Sequence, residues 1–341
     1  MSTYYAKHNA GGGGVGSFAD PFTFQELLDN TDAGDLGLVC NTGIYTPAAT
    51  IDVDNVSAAT TTNPAIIRGA NADGSDDGTV ATISGSGLGA NTDLLYINGA
   101  NQSVFFEGLR FTAATQDNIS ISANINYGNI KFERCRIDGA TRYGVYDQES
   151  ATFALNLINV EIDSNGNTGV KISASSRMTP YLLSCSVHDN AGTGIEVGGA
   201  YSLRTAIIIG CKIYDNSSDG INIATNVQSL VIWNNVLFAN DGDGIDMPNN
   251  CYAMLIANNI IRSNGGYGIN TNTGNINQFA FIRNNCSHNN TSGHIDINGG
   301  ALPGSDHITS DPLFTSEING SEDFSLQSES PCRNAGFGYT A

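Results

Sequence analysis

The chain has 341 residues, 40 of them Gly, and 14 Lys plus Arg against 33 Asp plus Glu give a formal net charge of −19. With 40% hydrophobic and only 14% charged residues, a disordered chain is excluded, and so few cations exclude binding to nucleic acid through phosphate neutralisation. Abundant Gly, Asn, Ser, Thr and Ile favour strands and turns over long helices.

In chain order, residues Met1 to His8 contain no apolar run of signal-peptide length, and no 18-residue apolar stretch suited to membrane insertion follows. The run from Asp20 to Leu28 predicts one short helix, with Asp20 as N-cap and Pro21 in the first turn. Strands are predicted at Leu36–Val39, Ala65–Arg68, Leu94–Ile97 and Val104–Phe106. A regular repeat then takes over. Gly precedes a β-branched residue at Gly144, Gly169, Gly194, Gly220, Gly244 and Gly268, with a looser copy at Gly293, at spacings of 25, 25, 26, 24, 24 and 25 residues. Seven residues before the Gly stand Ile137, Ile162, Val187, Ile213, Leu237 and Ile261. Twelve before it stand Phe132, Leu157, Leu182, Ile208, Ile232, Ile256 and Phe281.

This period is too short for a strand–helix–strand unit and has no 3.6-residue pattern. The two apolar columns differ by an odd number, so both face inward only if the chain bends between them. The bend is expected nine or ten residues before the Gly, with the Gly itself as a second positive-φ corner. Each repeat then makes one coil of a parallel β-solenoid, rising about 4.8 Å per coil. The Asn column four residues before the Gly (Asn165, Asn190, Asn216, Asn240, Asn264 and Asn289) is expected to stack as a buried hydrogen-bonded ladder. The seven cysteines are scattered without a CxxC pair, which disfavours zinc and fits a reducing compartment. Cys185 and Cys211 share one inward register and are spaced unfavourably for a disulfide.

The fold class expected is therefore all-β: a right-handed parallel β-helix of about ten coils, with a short N-terminal capping helix. The boundaries read as a cap over 1–35, the β-helix over 36–300 with its most regular repeats at 130–297, and a C-terminal cap over 301–341. The G-[IV] repeats with their Asn resemble right-handed parallel β-helix repeat proteins of the pectate-lyase-like superfamily. The tail Asp311-Pro312-Leu313-Phe314, Asp323-Phe324-Ser325-Leu326 and Ser330-Pro331-Cys332 through Ala335-Gly336 is similar to that family's recurring ending. The start, Tyr4-Tyr5-Ala6 before a Gly-rich stretch and a helix, is similar to phage-encoded members. The resemblance implies a fold shared by lyases, hydrolases, epimerases, adhesins and virion proteins.

On the outward columns, Glu196, Asp219, Asp243 and Asp246 form the strongest acidic cluster. Three readings stand side by side: a glycosidase pair, with Glu196 and Asp246 about 10 Å apart across two coils; a Ca²⁺ site at Asp219, Asp243 and Asp246; or solvated turn carboxylates. Asn240 to Asp246 is similar to a polygalacturonase motif, but the companion GHG and RxK motifs are missing. The YGxDPH-like motif of epimerases meets Tyr143 to Gln148, which lacks the His. Six residues before the Gly, His188, Tyr214, Phe238 and Arg262 predict an outward stripe suited to a glycan or protein partner, or to packing under a loop.

Two functions follow. The first is a non-enzymatic structural protein of a tailed phage, made in the host cytoplasm, contacting other virion proteins or cell-surface polysaccharide. The second is a polysaccharide-degrading enzyme, secreted or extracellular, using the outward carboxylates. No cofactor other than Ca²⁺ is implied, and self-association stays open.

Overall fold

A computed structural model describes residues 1–54, 62–75, 79–98, 103–122, 128–148, 153–173, 179–198, 203–223, 227–248, 251–271, 280–296 and 306–336. The chain winds into a right-handed parallel β-solenoid with three sheets of eleven, nine and ten strands. One coil runs through Gly128–Glu133 in the first sheet, Arg136–Asp138 in the second and Val145–Asp147 in the third. Each strand pairs in parallel with its equivalent one coil on, as Ile137 with Ile162, Val187, Ile213, Leu237 and Ile261 in succession. Among the described residues nine coils enter all three sheets, the first through Ala65–Ala70, Ala81–Ser84 and Leu95–Ile97. That is slightly fewer than expected, because Thr3–Ala6, Leu36–Cys40 and Ile51–Val53 extend only the first and third sheets.

The inward columns form one continuous core. Early coils fill it with rings: Phe106 stacks on Phe132 at 5.0 Å, and Phe111 meets both edge-on at 5.9 and 6.0 Å. Later coils use Ile, Leu and Val, each fully buried side chain stabilising by about 1.5–3 kcal/mol. Cys185 and Cys211 are buried free thiols in this core.

Two bends per coil let both apolar columns face inward. Ten residues before the repeat Gly, Arg134, Asn159, Ser184, Gly210, Asn234 and Asn258 have φ between 51° and 66°; five before it, Gly139, Ser164, Asp189, Asp215, Ala239 and Ser263 share that conformation. The repeat Gly is not among them, and only the looser copy Gly293 has a positive φ, at 140°, which corrects the expected second corner. Its role is close approach. A Cβ on Gly244 would lie 2.4 Å from Ile261 Cγ2 and 2.6 Å from the carbonyl of Gly268 in the next coil.

The Asn column makes the ladder. Side-chain amides donate from Asn165 to Asn190, to Asn216, to Asn240 and to Asn264 at 2.9–3.0 Å. The last rung is Asn290 (2.9 Å), not Asn289, which is exposed at φ 53°. A second ladder links Asn235, Asn259 and Asn285 at 3.0 and 2.9 Å.

The N-terminal end is covered by the one α-helix among the described residues, Phe24–Asn30, which buries Phe24, Leu27 and Leu28. Its N-cap is Thr23 rather than Asp20: Thr23 and Glu26 form a reciprocal capping box, which satisfies two orphan amides at once. It is too short to cross a membrane. At the other end, Phe314–Ser316 and Asp323–Leu326 form an antiparallel hairpin that folds back over the second sheet.

Candidate functional site on the third sheet

The strands of the third sheet are only two to four residues long, so each offers few outward positions and those align from coil to coil. One outward column runs Tyr146, Lys171, Glu196, Asn222, Asp246 and Asn270 in register. Asp219 and Asp243 precede their strands and Tyr267 opens its own; they add a second column beside it, each carbonyl accepting from the repeat Gly amide of the preceding coil.

Three of the four predicted carboxylates converge. Asn222 Nδ2 donates to Asp219 Oδ2 at 3.0 Å and to Asp246 Oδ2 at 3.2 Å. Asp219 Oδ1 accepts the Asp243 amide at 2.8 Å. Asp243 accepts from the Tyr267 amide at 2.5 Å and from Asn270 Nδ2 at 2.7 Å. Asp246 is the strained member: its Oδ1 is buried without a hydrogen-bond partner. Burial, then the charges of Asp219 and Asp243, push its pKa up to about 6, and the Met247 amide offsets this only in part.

Glu196 lies apart from this trio, with Asn222 between it and Asp246 in the column. Lys171 Nζ donates to both its oxygens at 2.9 and 3.1 Å. Burial lowers the Lys171 pKa, but the hydrogen bonds and charge of Glu196 outweigh this and the net shift is upward. Toward the N-terminal end the same face carries Tyr143 and Tyr146, ring centroids 5.1 Å apart, with the Arg142 guanidinium over both. Arg142 is held by the buried Asp117 at 2.8 and 2.5 Å.

Asn222 and Asn270, the donors that bind the trio together, were not singled out from the sequence. The signal was present: Asn222 follows Asp219 by three residues, and Asn270 follows Tyr267, the column neighbour of Asp243, by three.

The predicted stripe lies in register on the second sheet, His188 to Tyr214 to Phe238 to Arg262. Of its two expected roles, an open contact surface gives way to packing under a later segment, because the C-terminal hairpin covers it. Phe238 is buried against Phe314 and Phe324. Tyr214 meets Phe324 at 5.1 Å, and His188 stacks on Tyr214 at 4.6 Å. Arg262 pairs with Asp311 and, at 3.0 Å, with Glu317. A column of rings needs an apolar cover, and the DPLF and DFxL segments supply it.

The family model for a right handed beta helix region matches residues 148–302. No curated protein matches the sequence. Among solved structures, the pectate lyase Pel9A superposes with a TM-score of 0.61 at 17% identity, over 98% of this chain and 92% of that one. A rhamnogalacturonan lyase superposes with a TM-score of 0.51 at 13% identity, over 97% and 96%.

Proposed function

We propose that this right-handed parallel β-helix protein, whose fold is that of the pectate lyases, acts on a polysaccharide laid along the outer face of its third sheet. Asp219, Asp243 and Asp246 would hold Ca²⁺. The observation that carries this reading is Asp246, a buried carboxylate oxygen without a partner, crowded by two further carboxylates. A hard cation supplies the missing partner and removes the repulsion. When bound, Ca²⁺ neutralises an anionic group of the sugar and draws charge toward it.

The chain's own residues do the positioning. Asn222 and Asn270 fix the trio, leaving the outward side of the carboxylates toward the substrate. Lys171 keeps its proton at neutral pH, so it serves as a fixed positive charge rather than a base. Glu196, ion-paired and about 10 Å from Asp246 across two coils, suits a glycosidase acid poorly. A cation held by the trio would supply the carboxylate neutralisation that elimination or epimerisation of a uronate requires, whereas the carboxylate spacing suits hydrolysis poorly. The base that would take the uronate proton is not among these residues. The likeness to two polysaccharide lyases supports the same side, and it favours the polysaccharide-acting alternative over the virion component.

The test is a panel of uronate and neutral polysaccharides, with Ca²⁺ or chelator, followed by ultraviolet absorbance of unsaturated products and by reducing ends. Activity on an anionic polymer, lost with chelator and in Asp243→Asn and Asp246→Asn, is the expected result. Inactivity of the unaltered protein across the panel with Ca²⁺ overturns the reading.

A further inference from the structure

On the second sheet, away from the carboxylate trio, Glu161, Asp163 and His188 each offer one ligand atom, and all three atoms lie within 4.8 Å of one another. They come from adjacent coils, since Asp163 pairs in register with His188 and Glu161 with Ser186. The His188 ring is fixed from two sides. Its Nδ1 faces Asp189 Oδ2 at 2.8 Å, and its plane stacks on Tyr214 with an interplanar angle of 11°.

That arrangement determines what the other nitrogen can do. In the tautomer that directs the Nδ1 proton at Asp189, the lone pair of Nε2 faces Glu161 Oε1, 3.5 Å away. Two electron-rich atoms facing each other at that distance are stabilised by a cation between them. A carboxylate on the far ring nitrogen is also the usual support for a metal-bound imidazole, because it sets the tautomer and raises ligand basicity. Asp163 shares its charge with Arg136, whose Nε and Nη2 bind its two oxygens at 3.0 and 2.9 Å. Asp163 Oδ2 also accepts from Ser164 Oγ at 3.0 Å, so the lone pair left for a ligand is on Oδ1. Glu161 is 44% exposed in its side chain and His188 13%, so water can complete the coordination from one side.

We propose that Glu161, Asp163 and His188 bind a divalent transition metal of the Zn²⁺ class, stapling two neighbouring coils beside the C-terminal hairpin. One imidazole with two carboxylates suits Zn²⁺ or its neighbours, whereas Ca²⁺ prefers oxygen ligands alone. The absence of a CxxC pair bears only on cysteine sites.

The test is isothermal titration of the full chain, without a His tag, with Zn²⁺ alone. One equivalent binds the unaltered protein; His188→Gln and Glu161→Gln lose it; Asp189→Asn weakens it about tenfold. Asp246→Asn retains it, so this result is independent of any activity on polysaccharide. Thermal melts of the metal-free variants establish folding, and the exposed Glu161→Gln serves if His188→Gln is unstable. No saturable uptake by the unaltered protein overturns the proposal. So does uptake unchanged in folded Glu161→Gln, or lost instead in Asp246→Asn.

Discussion

Asn240 sits in mid-ladder, where its Oδ1 accepts from the Asn216 amide and side chain, and its Nδ2 donates to Ile213 and Asn264. Asn240→Ala would leave these groups unpaired in a dry interior, and a loss of about 3 kcal/mol in chemical denaturation is expected. Asp246 works in the opposite sense. Its pKa rises from 3.8 to about 6 on folding, so the native state binds more protons in that window and loses stability as pH rises through it. Without Ca²⁺, Asp246→Asn is therefore expected to be more stable than the unaltered protein at neutral pH. The gain is about 1–2 kcal/mol after allowance for solvent screening, and it vanishes below pH 3.8. Thermal melts across pH check both statements; a stability order that is flat with pH overturns the second.

At the scale of elements, the C-terminal hairpin is a clasp over the second sheet. Its rings are apolar, but its rim is acidic: burial first, then Glu322 of the hairpin and Asp189, raise the Asp215 pKa to about 6, while His188 works against this. Ionising Asp215 costs stability, so the clasp holds best below pH 3.8 and loosens as pH rises from there through about 6. In metal-free protein, hydrogen exchange over residues 314–326, corrected for intrinsic rate, is expected to speed up between pH 5 and 7.5. Asp215→Asn should remove most of that change. Equal protection at both values would sink the idea.

Across the whole molecule, the coils were legible because each contributes the same few columns at a nearly constant offset. The single-residue slips are equally instructive. Asn290 replaces Asn289 as a rung, because the offset to the looser Gly293 changes by one, and Asn285 ends the second ladder next to Asn284. Asn284 and Asn289 occupy the positive-φ bends. Of the site, Asp219, Asp243 and Asp246 were found by register alone. The stripe was found the same way, but not the segment that covers it, since contacts such as Arg262 with Asp311 join residues 49 apart in sequence, which periodicity does not carry.

The same long reach sets an order on synthesis. Coils can be laid down one on another as the chain leaves the ribosome, yet Tyr214 and Phe238 must wait for Phe314 and Phe324, which are made only after the last coil. For that interval the growing solenoid carries a wet aromatic strip along its flank, and arrival of the hairpin is what closes it.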